Sequence, residues 1–283
     1  MQYLIVLGIC VLSTMKMSFQ SLFAKKGVKT TADSVFFISM IFAASSLVFL
    51  PYVIYINLEI LAYAALFALC SVVFQLVYTR ALSEGNVSFA VMFANFAMIG
   101  PIIVSCVVYG EKPSVLRIIG IALTACAFLV TVKPEGKTTK RSLLFCFLAM
   151  LANSSVGITQ KIFSSSEYSD KNFTFSSVAY LISAVLAIGV YFVLAARGNR
   201  KTFKIGKLPI IAAIGAGVSL GVYLALNTYA TATIDGTFLF PAHAGGSIIF
   251  STFTGLIFFR DKLTVRQIIA LILGTSAIVL MNF

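Results

Sequence analysis

Tyr78-Thr79-Arg80-Ala81-Leu82-Ser83-Glu84-Gly85-Asn86-Val87-Ser88-Phe89 returns 151 residues later as Tyr229-Ala230-Thr231-Ala232-Thr233-Ile234-Asp235-Gly236-Thr237-Phe238-Leu239-Phe240. Tyr, Ala, Gly and Phe recur at positions 78, 81, 85 and 89, and acidic Glu84 meets Asp235. Upstream, Gln20 and Phe23 pair with Gln160 and Phe163 at an offset of 140. Downstream, Lys112, Val115, Ile118 and Ile119 pair with Lys262, Val265, Ile268 and Ile269 at 150, and Glu111 meets Asp261. The offset grows where the basic stretch Arg197 to Lys207 replaces the tight connection Asn57-Leu58-Glu59. Matches kept in order, with one insertion at a loop, read as an internal duplication.

Around these landmarks lie ten apolar runs, near residues 2–24, 33–56, 58–79, 87–109, 115–132, 142–163, 173–195, 208–229, 237–259 and 264–282. Each approaches the roughly 20 apolar residues that a bilayer-spanning helix needs. In lipid a lone segment must satisfy its own backbone hydrogen bonds, so runs of this length favour helices over barrel strands. The expected fold is an all-α integral membrane bundle of ten transmembrane helices. Five is odd, so the second copy enters the membrane in the opposite sense. Two inverted five-helix repeats are expected, residues 1–137 and 138–283, with a substrate site near the midplane where they meet.

The chain is 60 % hydrophobic with a mean hydropathy of +1.02, and the spans leave no room for a sizeable soluble domain. A net charge of +12 in a soluble protein would suggest nucleic acid as a partner, but here the basic residues sit in short loops and no nucleic-acid partner is implied. Sixteen Lys and Arg fall in the odd-numbered connections and four in the even ones. Since basic loops stay cytoplasmic, both termini are expected outside a multi-pass protein of the cytoplasmic (inner) membrane. Met1-Gln2-Tyr3 lacks a basic n-region, so the first run reads as a retained helix and not a signal peptide. The five cysteines lie in apolar segments without a C-x-x-C pair or a histidine at ligand spacing, which reads as small buried residues and implies no metal.

Ten spans as five plus five, Tyr78-Thr79-Arg80-Ala81-Leu82 ending the third, Gly110-Glu111 closing the fourth and Gly120 within the fifth resemble the drug/metabolite transporter superfamily in its EamA-like branch. The resemblance implies secondary transport of a small metabolite or drug-like solute, without a cofactor.

All nine acidic residues lie at or near span ends, which argues against a midplane carboxylate that carries a coupling proton or neutralises a cationic drug. Lys16 stands inside the first span, sharing a helical face with Ser13 and Gln20. It reads either as a contact for a carboxylate or other anion or as a stem that snorkels to the interface. His243 is the single histidine, in Phe240-Pro241-Ala242-His243-Ala244-Gly245-Gly246. Pro241 and the glycines predict a weakened helix there, and the imidazole is either a proton or substrate acceptor beside that break or a neutral interhelical bond. A related break is expected at Gly100-Pro101, with Asn95 just before it. Asn153, Gly157 and Gln160 share one face of the sixth span, and Tyr223 and Asn227 share one of the eighth. Such faces suit a pocket or helix association equally.

The cavity is expected between spans one, three, four, six, eight and nine. Its polar wall is assigned to Lys16, Gln20, Asn95, Gln160, Tyr223, Asn227 and His243, with His243 as the acceptor of any coupling proton. The partners are then a small uncharged, zwitterionic or anionic solute, membrane lipids and, where transport is proton-linked, that proton. A lipid or lipid-linked-sugar flippase is the neighbouring alternative. Gly217-Val218-Ser219-Leu220-Gly221 fits G-x-S-x-G and would make an intramembrane serine hydrolase of Ser219 and His243, but it lies within a continuous apolar run and not at a strand-to-helix turn. A non-transporting membrane subunit would have no evident use for inverted repeats. No Walker A sequence is present to power an ATP-driven pump.

Overall fold

The computed structural model describes residues 2–27, 30–53, 56–84, 87–131, 140–200, 204, 206–258 and 264–281. The repeat markers Gly85, Asp261 and Lys262, the loop cations Lys29, Lys133, Lys137, Lys201 and Arg260, and the boundary between 137 and 138 lie outside them. Among the described residues the fold is all-helical: α1 (Gln2–Gly27), α2 (Thr31–Leu47), α3 (Leu58–Glu84), α4 (Val87–Phe96), α5 (Ile99–Val107), α6 (Val115–Thr131), α7 (Lys140–Ser164), α8 (Asn172–Ala196), α9 (Lys207–Thr233), α10 (Gly236–Phe258) and α11 (Val265–Leu280). Segments of α1, α3, α7 and α9, and one covering α8 and its leading turn, are long and apolar enough to cross a membrane. Helices α2, α6 and α11 are apolar but shorter.

Proline corrects two expectations about the spans, and the break expected near Gly100-Pro101 is found slightly earlier. The second run is apolar to residue 56, but α2 ends at Leu47 and a 3-10 turn follows at Leu50–Tyr52. Pro51 lacks an amide proton and disfavours helix at the residue before it, so hydrophobicity continues where the helix does not. The fourth run divides into α4 and α5 at Ala97-Met98. There Met98 N bonds Asn95 O at 3.2 Å and Gly100 N bonds Ala97 O at 3.3 Å, tighter turns that replace the bond Pro101 cannot donate. Conversely, α10 runs unbroken through Pro241. Pro241 lies in the second turn of the helix and removes a single donor, so no break forms beside His243.

Packing follows a regular scheme. Helix α1 lies on α9 as α3 lies on α7; α2 lies on α9 as α3 lies on α8; α1 lies on α10 as α4 and α5 lie on α7; α2 meets α8, and α6 meets α11. Counting α4 and α5 as one span, exchanging each span with the one five places along maps this set of contacts onto itself. An aromatic cluster fills the region between α2, α3, α7 and α8, where Phe163 stacks on Phe175 at 4.0 Å, Phe42 on Tyr180 at 5.7 Å, and Phe67 meets Phe175 edge-on at 5.6 Å.

Helix α9 approaches α2 backbone to backbone. A Cβ added at Gly217 would lie 2.8 Å from the Ile41 carbonyl oxygen, and one at Gly221 2.8 Å from that of Ser45. Ser45 Oγ donates back to the Gly217 carbonyl at 2.9 Å. Gly217 and Gly221 therefore serve backbone contact. Gly217→Val is expected to cost about 1–3 kcal/mol through overpacking, read as a lowered Tm of the detergent-solubilised protein. Ser219→Ala, which loses only a bond to the Gly215 carbonyl of its own helix, should shift Tm far less.

Candidate functional site

The polar residues inside the bundle gather in three layers. In the middle, His243 Nε2 of α10 lies 3.3 Å from Ser13 Oγ of α1, and the Tyr223 ring of α9 faces the imidazole at a centroid distance of 5.5 Å. Cys10 Sγ stands 3.8 Å from the His243 carbonyl, holding α1 and α10 together at this level. Lys16 follows one turn after Ser13. Tyr223, His243 and Lys16 are each partly accessible, although they sit far from the helix ends. Asn95, partly buried at the end of α4, is carried by the broken fourth span. The carbonyl of Ala94, which loses its helical partner at the break, accepts Asn153 Nδ2 of α7 at 2.8 Å. Asn153 thus repairs the break, the role of helix association left open for it by the sequence.

Toward one end of the bundle, Gln160 and Asn227 form a closed bridge between α7 and α9. Asn227 Nδ2 donates to Gln160 Oε1 at 2.9 Å, and Gln160 Nε2 to Thr228 Oγ1 at 3.0 Å. Both residues are 3 % exposed, so this pair seals where the sequence suggested an open wall. Above it sits a cluster absent from the sequence-derived site. Lys161 Nζ pairs with Glu111 Oε1 at 2.8 Å, donates to the Thr231 carbonyl at 3.3 Å and lies 5.3 Å over the Tyr109 ring. Glu111 Oε2 in turn accepts the Thr237 amide at 3.0 Å, capping the N-terminus of α10. One ion pair thereby ties α7, the last turn of α9, the first turn of α10 and the α5–α6 connection. Beside it, Arg117 Nη1 pairs with Asp235 Oδ2 at 2.8 Å, a more exposed contact. In the sequence Lys161 directly follows Gln160 near the end of an apolar run, where a cation reads as loop charge.

Toward the other end the closure is slighter. Gln20 Nε2 of α1 reaches Gln75 Oε1 of α3 at 3.5 Å. Helix α7 packs on α9, but α1 and α3, their counterparts under the five-place exchange, meet only sparsely. The structure thus brings together His243 and Tyr223, and Gln160 and Asn227; Lys16 and Gln20 share a face of α1, and Asn95 stands by the break. Ser219 Oγ donates to Gly215 and His243 faces Ser13, so the hydroxyl and imidazole of the hydrolase reading serve separate contacts. Among the described residues, no group of three or more His, Cys, Asp or Glu is placed to hold a metal. A groove of about 690 Å³ opens between Phe49, Asn172, Phe173 and Tyr229, and none of the seven assigned residues lines it.

Among the described residues the chain is an all-helical bundle around a layered polar interior, with five helices long and apolar enough to cross a membrane. Residues 4–133 match the model of the EamA-like transporter family, a match consistent with the resemblance of the sequence to the drug/metabolite transporters. Twenty-nine chains of solved structures match the fold. One, described only as the crystal structure of a protein, superposes with a TM-score of 0.81 at 11 % identity, over 99 % of this chain and 95 % of its own; the likeness is one of fold. No curated protein matches the chain in sequence.

The ion pair makes a prediction with a definite sign. Burial alone would raise the Glu111 pKa, but the Lys161 hydrogen bond, the Thr237 and Gly236 amides and the Lys161 charge outweigh it and hold it below 4.5. A carboxyl lowered on folding stabilises above its unfolded pKa and loses that contribution as pH falls through the folded value. The Tm of the wild type should therefore fall below about pH 4.5, and that of Glu111→Gln should change less over the same range. Near neutral pH, Glu111→Ala strands a buried ammonium and is expected to cost about 3 kcal/mol or more, whereas replacing both partners by Met recovers most of it. Thermal unfolding of the wild type and the three variants measures both effects.

Proposed function

We propose that the protein is a secondary active transporter of a small organic solute, working by alternating access between two inverted five-helix halves, residues 1–137 and 138–283, in the cytoplasmic membrane. The observation that carries the reading is the inequality of the two ends. Accessible polar side chains at mid-depth lie between an end tied by Lys161 and Glu111 and, among the described residues, an end where the neutral amides of Gln20 and Gln75 meet. A carrier caught open on one side has this form. The contact scheme that survives exchange of the halves supports the inverted duplication, and the family match at residues 4–133 spans nearly the whole of the first half. By loop charge the sparsely bridged end, reached by the odd-numbered connections, is cytoplasmic and both termini are outside.

Lys16, Gln20, Asn95, Tyr223 and His243 form the polar wall in this reading. Gln160 and Asn227 join it when the bridge between α7 and α9 opens. A flippase would place its polar groups in a lateral opening, and the groove beside Tyr229 contains none of these residues.

Proteoliposomes containing this chain alone test the proposal. Preloaded solute is expected to accelerate uptake of the same labelled solute, which a channel or a non-transporting subunit does not do. His243→Ala should abolish flux while leaving membrane insertion intact. If flux survives in that variant with the pH dependence of the wild type, His243 carries no proton.

A further inference from the structure

We propose that the transported solute carries a single carboxylate bound by the Lys16 ammonium; this rests on the transport reading and names its substrate class. Lys16 lies nine residues before Lys25, about 14 Å along the helix axis, farther than its four-carbon stem can reach. At about 100° per residue it falls within roughly 60° of both Ser13 and Gln20, which contact α10 and α3. The exposed residues Leu4, Leu7 and Met15 lie about 100° or more away around α1, on its outward side. Lys16 therefore faces the interior. It is partly accessible there, and among the described residues no hydrogen bond or ion pair engages it.

An ammonium at that depth is costly unless an anion meets it. Among the described residues no carboxylate meets it. The nine carboxylates stand at span ends, and the buried Glu111 is already committed to Lys161. A solute can supply the anion. A dianion such as a phosphate monoester would need a second cation, and the other interior ammonium, Lys161, is bound within the end cluster. One uncompensated charge matches one carboxylate, whose two oxygens accept charge-assisted bonds from the ammonium. Tyr223 and His243, whose rings face each other beside Ser13, offer aromatic surface for the apolar body of the same molecule.

The test uses the full chain in detergent and pairs of acids and their neutral amides, 4-hydroxyphenylacetate with 4-hydroxyphenylacetamide and benzoate with benzamide. At neutral pH the acids are expected to raise Tm and the amides not, since a ligand of the folded state stabilises by mass action. Lys16→Met should weaken acid binding about tenfold to a hundredfold, and Lys16→Arg should retain it. Equal stabilisation by acid and amide, no stabilisation by either acid, or acid binding undiminished in Lys16→Met overturns the proposal. The wild-type comparison of acid with amide stands even if Lys16→Met misfolds. Flux separates this proposal from the reading beneath it. A stabilising acid that binds at Lys16 but is not moved in proteoliposomes sinks transport and leaves the carboxylate site. A neutral solute moved equally by wild type and Lys16→Met leaves transport and sinks the carboxylate site.

Discussion

The backbone contact between α2 and α9, permitted by Gly217 and Gly221, sets the geometry from which the rest follows. In lipid, helices gain little from burying apolar surface against each other, so close approach through small residues and interhelical hydrogen bonds decides which faces meet. The Ser45 bond to Gly217 adds a directional contact to that approach. Helix α9 touches α1, α2, α7, α8 and α10. Once its rotation is fixed by the glycine face, Tyr223 is turned toward His243 and Asn227 toward Gln160.

On that frame the two ends of the bundle differ in chemistry. At one, the charge of Lys161 meets a carboxylate, a helix-terminal carbonyl and a ring face, and the carboxylate meets the free amides of a helix N-terminus. Every group there offsets the desolvation of its neighbour, which is the condition for a buried ion pair to be tolerable at all. At the other, two neutral amides meet at 3.5 Å. Neutral amides lose little when separated in the presence of water, whereas separating the ion pair exposes two charges that must be rehydrated or paired anew.

Helix existence was legible because run length and hydropathy depend only on composition, and α1, α3, α7, α8 and α9 begin and end within a few residues of the apolar runs. Helix termination was less legible. Pro51, Pro101 and Pro241 look alike in a hydropathy reading, but the first stops α2, the second falls just after the division of the fourth span, and the third is absorbed in the second turn of α10. Outcome depended on position within the turn and on rescue from outside. Ala94 finds Asn153, a partner contributed by α7 nearly sixty residues away, which no local pattern announces. The site divided similarly. His243 and Tyr223 were recognisable from residue type and helical face, but the sealing role of Gln160 and Asn227 depends on tertiary pairing. Lys161 escaped notice because it stands at a span end, where cations are expected for topological reasons.

A duplicated scaffold offers the same backbone to both ends, so any difference between them has to come from side chains. At the offset of 140 residues, Gln20 and Gln160 correspond, and the next positions are Ser21 and Lys161. Glu111 and Asp261 also correspond, so both copies keep the acid while one alone has the lysine at this place. The Glu111 carboxylate is stabilised by the amides at the N-terminus of α10, but the bond that also recruits α7 and α9 requires the cation. Ser21 thus stands where the second copy has Lys161, and α7 packs on α9 more extensively than α1 on α3. In the transport reading proposed above, Lys16 lies on the Gln20 side of the Gln160–Asn227 bridge, one turn beyond Ser13 and the His243 ring it faces.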